Sequence, residues 1–278
     1  MSTAAFSPRV DEARVPHRIY AVRYAHLDRT SDKNFLGGDD HARDMPLDYY
    51  VWVIKGDTHT IVVDTGFDAA AAAARGRTLV RSVAEGLAAI GVDPANVPDV
   101  VITHMHYDHA GNAGLFPRAH FHVQDAEMAF CTGRAMTHRH LSAPFDANDV
   151  TAMVRRVFDG RVAFHAGDAT LYPGVTLHHL GGHTPGLQAV RVETGRGPVV
   201  LASDAAHFWA NLERESPFPI VADVPAYLAS LRRLRELAAS IDHIIPGHDP
   251  EVLARFPKEA GAADVVRLDL MPVAGVRS

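Results

Sequence analysis

The chain has a single cysteine, Cys131, among its 278 residues. An intrachain disulfide is excluded, and the fold is expected to hold without an oxidising compartment. No stretch approaches the ~18 apolar residues of a membrane span. Residues 1–18 carry Asp11 and Glu12 and no apolar core segment, so they do not read as a secretory signal. Positive charge is not in excess: 27 Lys and Arg against 33 Asp and Glu give a formal net charge of -6 and a pI near 6.3. A nucleic-acid binder would show a basic patch. Arg155-Arg156 and Arg232-Arg233 read instead as solvated faces of helix-like segments. Tandem repeats and low-complexity linkers are also missing. These absences leave a cytoplasmic protein with no nucleic-acid or membrane partner. The 47% hydrophobic fraction supplies a substantial core, and the length suits one large α/β domain spanning 1–278.

Strand-like and helix-like segments alternate. Residues 18–27 and 49–55 read as strands, Gly56-Asp57 as a hairpin turn and 58–63 as the partner strand. Residues 78–90 have helical periodicity ending at Gly91. Further strands are expected at 100–103, 119–123, 162–165, 175–180, 187–193, 199–202 and 241–245. Helices are expected at 69–74, 125–130, 147–158 after Asp146, and 224–239 after Asp223. Two stretches lack regular patterning, 28–46 and 131–145; loops this long in a compact domain often act as lids over a site.

Eighteen histidines are present, and most are ordinary imidazoles; grouping is what singles any out. The densest group is His104-Met105-His106-Tyr107-Asp108-His109, directly after the apolar Val100-Val101-Ile102. Imidazoles and a carboxylate are ligands for Zn2+ or Fe2+. Gathered at a strand end, they can converge on one point. A dinuclear site and hydrolysis are therefore the first chemistry to test. Other candidates close other strands: His183 in Gly181-Gly182-His183-Thr184-Pro185-Gly186, Asp204 after Ala202-Ser203, and His248 after Pro246-Gly247; Asp64-Thr65-Gly66 closes the strand at 58–63. In α/β folds, strand ends meet at one edge, where sites form.

This ordered set, from Asp64-Thr65-Gly66 through His248, resembles the metallo-β-lactamase superfamily. The resemblance covers residues from about 50 to 250 and implies an αββα sandwich of two mixed β-sheets flanked by helices. It implies two divalent ions, zinc first among Zn2+, Fe2+, Mn2+ and Co2+. His104, His106 and His183 would hold one, Asp108, His109 and His248 the other, and Asp204 would bridge them. A hydroxide between the ions would be the nucleophile, with Asp108 steering it or moving a proton. Asp64 would orient a ligand imidazole.

The aspartate bridge separates this chain from many β-lactamases of the fold, which place a cysteine there. His106 separates it from flavodiiron proteins, which have a glutamate within the first motif. The chain looks most like the N-acyl homoserine lactone hydrolases, quorum-quenching lactonases acting on small lactones or esters. It departs from them at His207, where those enzymes commonly have a tyrosine; an imidazole there is a candidate oxyanion donor or leaving-group acid. Phe35, Met45, Met136 and Phe208 are candidate pocket residues. A glyoxalase II-like thioesterase and a mononuclear Fe(II) enzyme like the persulfide dioxygenases are the alternatives, and a homodimer stays open.

Overall fold

The computed structural model describes residues 16–273; residues 1–15 of the stretch read as lacking a signal lie outside them. The large sheet contains β1 (Arg18–Leu27), β2 (Leu47–Lys55), β3 (Thr60–Val63), β4 (Thr78–Leu79), β5 (Asp99–Val101), β6 (His120–Gln124) and β7 (Val162–His165). The small sheet contains β8 (Ala169–Tyr172), β9 (Val175–His179), β10 (Gln188–Thr194), β11 (Gly197–Ser203) and β12 (Ile244–Pro246). The chain then returns to the large sheet through β13 (Lys258–Glu259) and β14 (Ala262–Arg267). The large-sheet order is β13-β14-β1-β2-β3-β5-β6-β7, with β4 beside β1; the small-sheet order is β12-β11-β10-β9-β8. Both sheets are mixed. β3, β5, β6 and β7 run parallel, as do β11 and β12, and the other pairings are antiparallel.

Side-chain alternation along β1 builds two cores. Tyr20, Val22 and Tyr24 join Val83, Leu87 and Met153 from helices Val83–Ala88 and Ala147–Phe158. Ile19 and Ala21 join Leu177, Val190 and Leu201 of the small sheet, together with Tyr227 and Leu231 of helix Val224–Leu237. The expected layers, helices outside two mixed sheets, are those observed. No helix among the described residues is long and apolar enough to cross a membrane.

Strands β8, β13 and β14 lie outside the expected set, and the largest boundary shifts are at two places. Thr78 and Leu79 pair with β1 instead of opening a helix. The helix begins only after Ser82, whose side chain forms a capping box with Glu85. Residues 241–243 form a 3₁₀ turn, and the strand is confined to Ile244–Pro246. The unpatterned stretches contain short turns. Ser31–Lys33 lies in the first, where Asn34 Nδ2 donates to the Met45 carbonyl. Arg134–Thr137 and Arg139–Ser142 lie in the second.

Candidate metal centre

Parallel pairing decides where the candidate ligands go. β3 and β5 are parallel neighbours, so Asp64 and the His104–His109 run leave the large sheet at the same edge. β11 and β12 are parallel neighbours, which brings Asp204 and His248 together in the small sheet. The His183 loop fits because Gly182 has φ 90° and lies against helix Val224–Leu237; a Cβ there would sit 2.4 Å from Tyr227 backbone. Gly247 is equally constrained, since its Cβ would approach Asp204 Oδ1 to 2.7 Å.

The sheets are fastened around this edge. Thr103 Oγ1 lies 2.8 Å from Ser203 Oγ, joining the end of one sheet to the end of the other. Asp64, at φ 62°, accepts bonds from Thr103 N (2.7 Å), Thr103 Oγ1 (2.8 Å) and His109 Nδ1 (2.7 Å). With Nδ1 donating, His109 keeps the lone pair of Nε2 for the cluster. His248 is turned the same way by the Asp48 carbonyl, 3.0 Å from its Nδ1.

All seven candidate ligands converge. One group is His104, His106, His183 and Asp204, another is Asp108, His109 and His248; within each, the ligand atoms lie within 4.8 Å of one another. Asp204 stands between them. Its Oδ2 is 3.2 Å from His183 Nε2 and 3.9 Å from His104 Nε2. Its Oδ1 is 3.0 Å from His248 Nε2 and 3.3 Å from His109 Nε2. Asp108 Oδ2 is 3.7 Å from His109 Nε2 and 3.8 Å from His248 Nε2.

The donors fit a pair of cations. His104 Nε2, His109 Nε2 and Asp204 Oδ1 are buried without hydrogen-bond partners. Such orphans cost ~1–3 kcal/mol each, a penalty removed when the lone pairs coordinate a metal. Burial pushes the His104, His106 and His183 imidazoles well below their usual range, aided by neighbouring imidazoles and opposed by Asp204; His183 reaches about 3. They are therefore neutral, the form that binds metal. Burial alone would also lower His109, but Asp204, Asp108 and Asp64 outweigh it. Burial would raise the Asp204 carboxyl, yet His207, His248, His109 and His183 hold it well below the ordinary value. Cys131 belongs to neither ligand group; it is buried, and burial drives its thiol up to about 12.

A narrow cavity of about 60 Å³ opens over the cluster. His207 lines it, with Nε2 3.0 Å from Asp204 Oδ2 and its ring stacked on Phe218 at 3.6 Å. The four residues expected to line the pocket do not. Phe35 and Phe208 are buried in packing, and Met136 leans on the core beside helix Asp125–Cys131. Met45 and Phe208 border a separate depression with Trp209. The apolar wall consists instead of Leu27, Leu47, Pro144, Phe218 and Ile220. Being apolar and near a loop does not tell core from cavity.

Two contributions went unread in the sequence. Glu127, fully buried, accepts from Met105 N (2.8 Å), Thr184 Oγ1 (2.6 Å) and Gly186 N (3.1 Å), tying the first histidine run to the His183 loop. An acid amid the apolar positions of helix Asp125–Cys131 was the available signal. Arg29 and Arg77 also line the cavity, and as isolated arginines they gave none.

The sequence profile of the Metallo-beta-lactamase superfamily matches residues 45–248. An N-acyl homoserine lactonase of Bacillus sp is 30% identical over 223 residues, covering 74% of this chain and 83% of that protein. The N-acyl homoserine lactonase AttM of Azorhizobium caulinodans is 31% identical over 180 residues, covering 63% and 67% respectively. The fold superposes, at a TM-score of 0.70 and 24% identity, on a solved N-acyl homoserine lactone hydrolase with N-hexanoyl-L-homoserine bound at its catalytic metal center. That match covers 86% of this chain and 95% of the other.

Proposed function

The chain belongs to the metallo-beta-lactamase superfamily, and from that premise we propose that it is a metal-dependent lactonase, opening a cyclic ester by hydrolysis. The observation that carries this reading is Asp204, a carboxylate placed between two ligand groups, in a chain whose curated relatives are lactonases. His104, His106 and His183 would hold one divalent ion and Asp108, His109 and His248 a second, with Asp204 shared; zinc is the proposed metal. Two such ions supply Lewis acidity toward the ester carbonyl and make water a nucleophile at neutral pH.

The remaining work falls to the protein's own groups. Asp64 and the Asp48 carbonyl keep His109 and His248 in the tautomer that faces inward. Asp108, placed beside His109 and His248, would steer the attacking water or move its proton. His207 stacks on Phe218 at the cavity wall with Nε2 facing Asp204; with Asp204 engaged by the metals, that N–H would be released to donate to the ester oxygen that gains charge. The apolar wall of Leu27, Leu47, Phe218 and Ile220 excludes bulk water from the ester. Segments 28–46 and 131–145 are proposed as the lids, since Arg29 and Pro144 from them line the cavity.

The test joins a metal count to a panel of lactones, thioesters and β-lactams. Two ions per chain with turnover of lactones is expected. Rapid thioester cleavage with no lactone opened, or one iron per chain with oxygen uptake, would overturn the reading.

A further inference from the structure

Beyond the metal ligands, the cavity is lined by charge of one sign. Its acids are Asp108 and Asp204, both engaged in the cluster; its other charged residues are Arg29 and Arg77. The adjoining groove, about 500 Å³, shares Arg77 and Tyr107 with the cavity and adds Arg75, Arg139 and His140, with no acid in its lining. A net charge of -6 makes this rim a local departure, not the consequence of a basic protein.

Arg29 and Arg77 are held in place by neutral partners. Arg29 donates from Nε to Asn34 Oδ1 (2.6 Å) and from Nη2 to the Lys33 carbonyl, and its guanidinium lies over Phe218 at 5.2 Å. Arg77 donates from Nε to Tyr107 Oη (3.0 Å) and from Nη1 to the Arg75 carbonyl (2.7 Å). Each therefore has a terminal nitrogen left over: Nη1 of Arg29 and Nη2 of Arg77. Neither forms an ion pair among the described residues, whereas Arg23, Arg81, Arg235, Arg255 and Arg267 elsewhere each reach a carboxylate. Both are half-buried. Burial lowers Arg29 and the like charge of Arg77 adds to this, opposed by Tyr49 and Asp32. Burial would also lower Arg77, but Tyr49, Tyr107 and Asp108 outweigh it and raise the guanidinium. Two half-buried guanidiniums, fixed in orientation and with no carboxylate in ion-pair reach among the described residues, keep donors to offer an anion.

Resting on the reading of this cleft as the site of ester hydrolysis, we infer that Arg29 and Arg77 form an anion subsite. The substrate carries a carboxylate or phosphate at the end remote from the scissile ester. Planar forks suit both groups, and charge-assisted bonds from a fixed guanidinium are the strong ones. The rim then selects against neutral acyl chains that the apolar wall alone would accept.

The experiment compares metal-loaded enzyme on isosteric lactones: N-hexanoyl homoserine lactone, its N-adipoyl counterpart ending in carboxylate, and a counterpart ending in phosphate. A carboxylated thioester, S-lactoylglutathione, is the fourth substrate. The expected result is a KM roughly 10-fold or more lower for an anionic lactone than for the hexanoyl one. That preference should fall as salt is raised. In Arg29→Met and Arg77→Met the preference should shrink by a similar factor, and Arg77→Lys should restore part of it; melting temperature and metal content confirm that the variants fold. The better of the carboxylate and phosphate arms identifies the anion. Equal or better use of the hexanoyl lactone, or variants that affect neutral and anionic substrates alike, would overturn the subsite and leave the lactonase reading intact. Cleavage of the thioester alone, sensitive to both arginines, would overturn the lactonase reading and uphold the subsite. No turnover of any of the four would overturn both.

Discussion

The metal centre and the rim of the cleft above it are built by opposite means. The centre is assembled from strand ends and is buried: His104, His109, His183, Asp204 and His248 are each at most 3% exposed. Its orientation is fixed twice over, by Asp64 and Thr103 beneath the first run and by Glu127 between that run and the His183 loop. The rim is assembled from segments between elements. Arg29 follows β1, Arg77 precedes β4, and Arg139 and His140 open a helix of four residues. Its charges are half-exposed or exposed, and Arg29 and Arg77 are held by hydrogen bonds to neutral groups. The contrast separates two tasks. Reaction chemistry needs atoms placed to a fraction of an ångström, so it sits on paired strands. Selection of a substrate tolerates, and exploits, segments that differ between relatives.

The largest expected effect breaks the centre itself. Asp204→Ala removes the one carboxylate shared by both ligand groups and leaves His183, His207 and His248 facing one another. Activity on the best ester should fall roughly 10³-fold or more, with less than two metals retained per chain. Elemental analysis beside kcat/KM checks it. A variant that keeps both ions and most activity would show that the groups do not need their common member.

Asp64→Asn should cost less. The amide can still accept from Thr103, but it presents an N–H2 where His109 Nδ1 now donates, and the imidazole loses its tautomer lock. Metal affinity should drop ~10–100-fold with the fold retained. Competition with a chelator of known affinity measures it. If melting falls and metal affinity does not, Asp64 is a fastening of the two sheets and not an orienting group.

That contrast also explains what could be read in advance. Layers, sheet content and most strands follow from alternation and from turn residues, and they were legible. So was the grouping of the seven candidate ligands, because four of them share six positions, His183 and His248 sit beside glycines, and Asp204 closes a strand. Glu127 was not legible, since a buried acid is recognised by the three donors that surround it and those come from residues 105, 184 and 186. Phe35 and Phe208 were misread because apolar side chains suit core and cavity alike. The rim arginines lie 48 positions apart in sequence (77 − 29), on opposite sides of two strands, β2 and β3. The pairing of β4 with the end of β1 brings them over one cavity.

The smallest effect tests whether the rim is truly unmatched. Asp149 is on helix Ala147–Phe158, and its carboxyl is raised to about 6. Burial is the main cause, then the charges of Asp146 and Asp68; Arg75 and Arg156 oppose the rise without cancelling it. A folded pKa above the unfolded value of ~3.9 means the neutral form is favoured in the native state. The stability this contributes is fully present below about pH 4 and is lost as pH rises through about 6. Asp149→Asn stays neutral at every pH. The variant should match the parent near pH 4 and exceed it near pH 8 by ~1 kcal/mol, after discounting a half-buried group for solvent screening, or about 2 °C in melting. Urea midpoints at the two pH values measure the difference. A difference that does not grow with pH would mean that Arg75 already neutralises Asp149. Arg75 would then have a carboxylate partner of its own, and the anion subsite would rest on Arg29 and Arg77 without help from it.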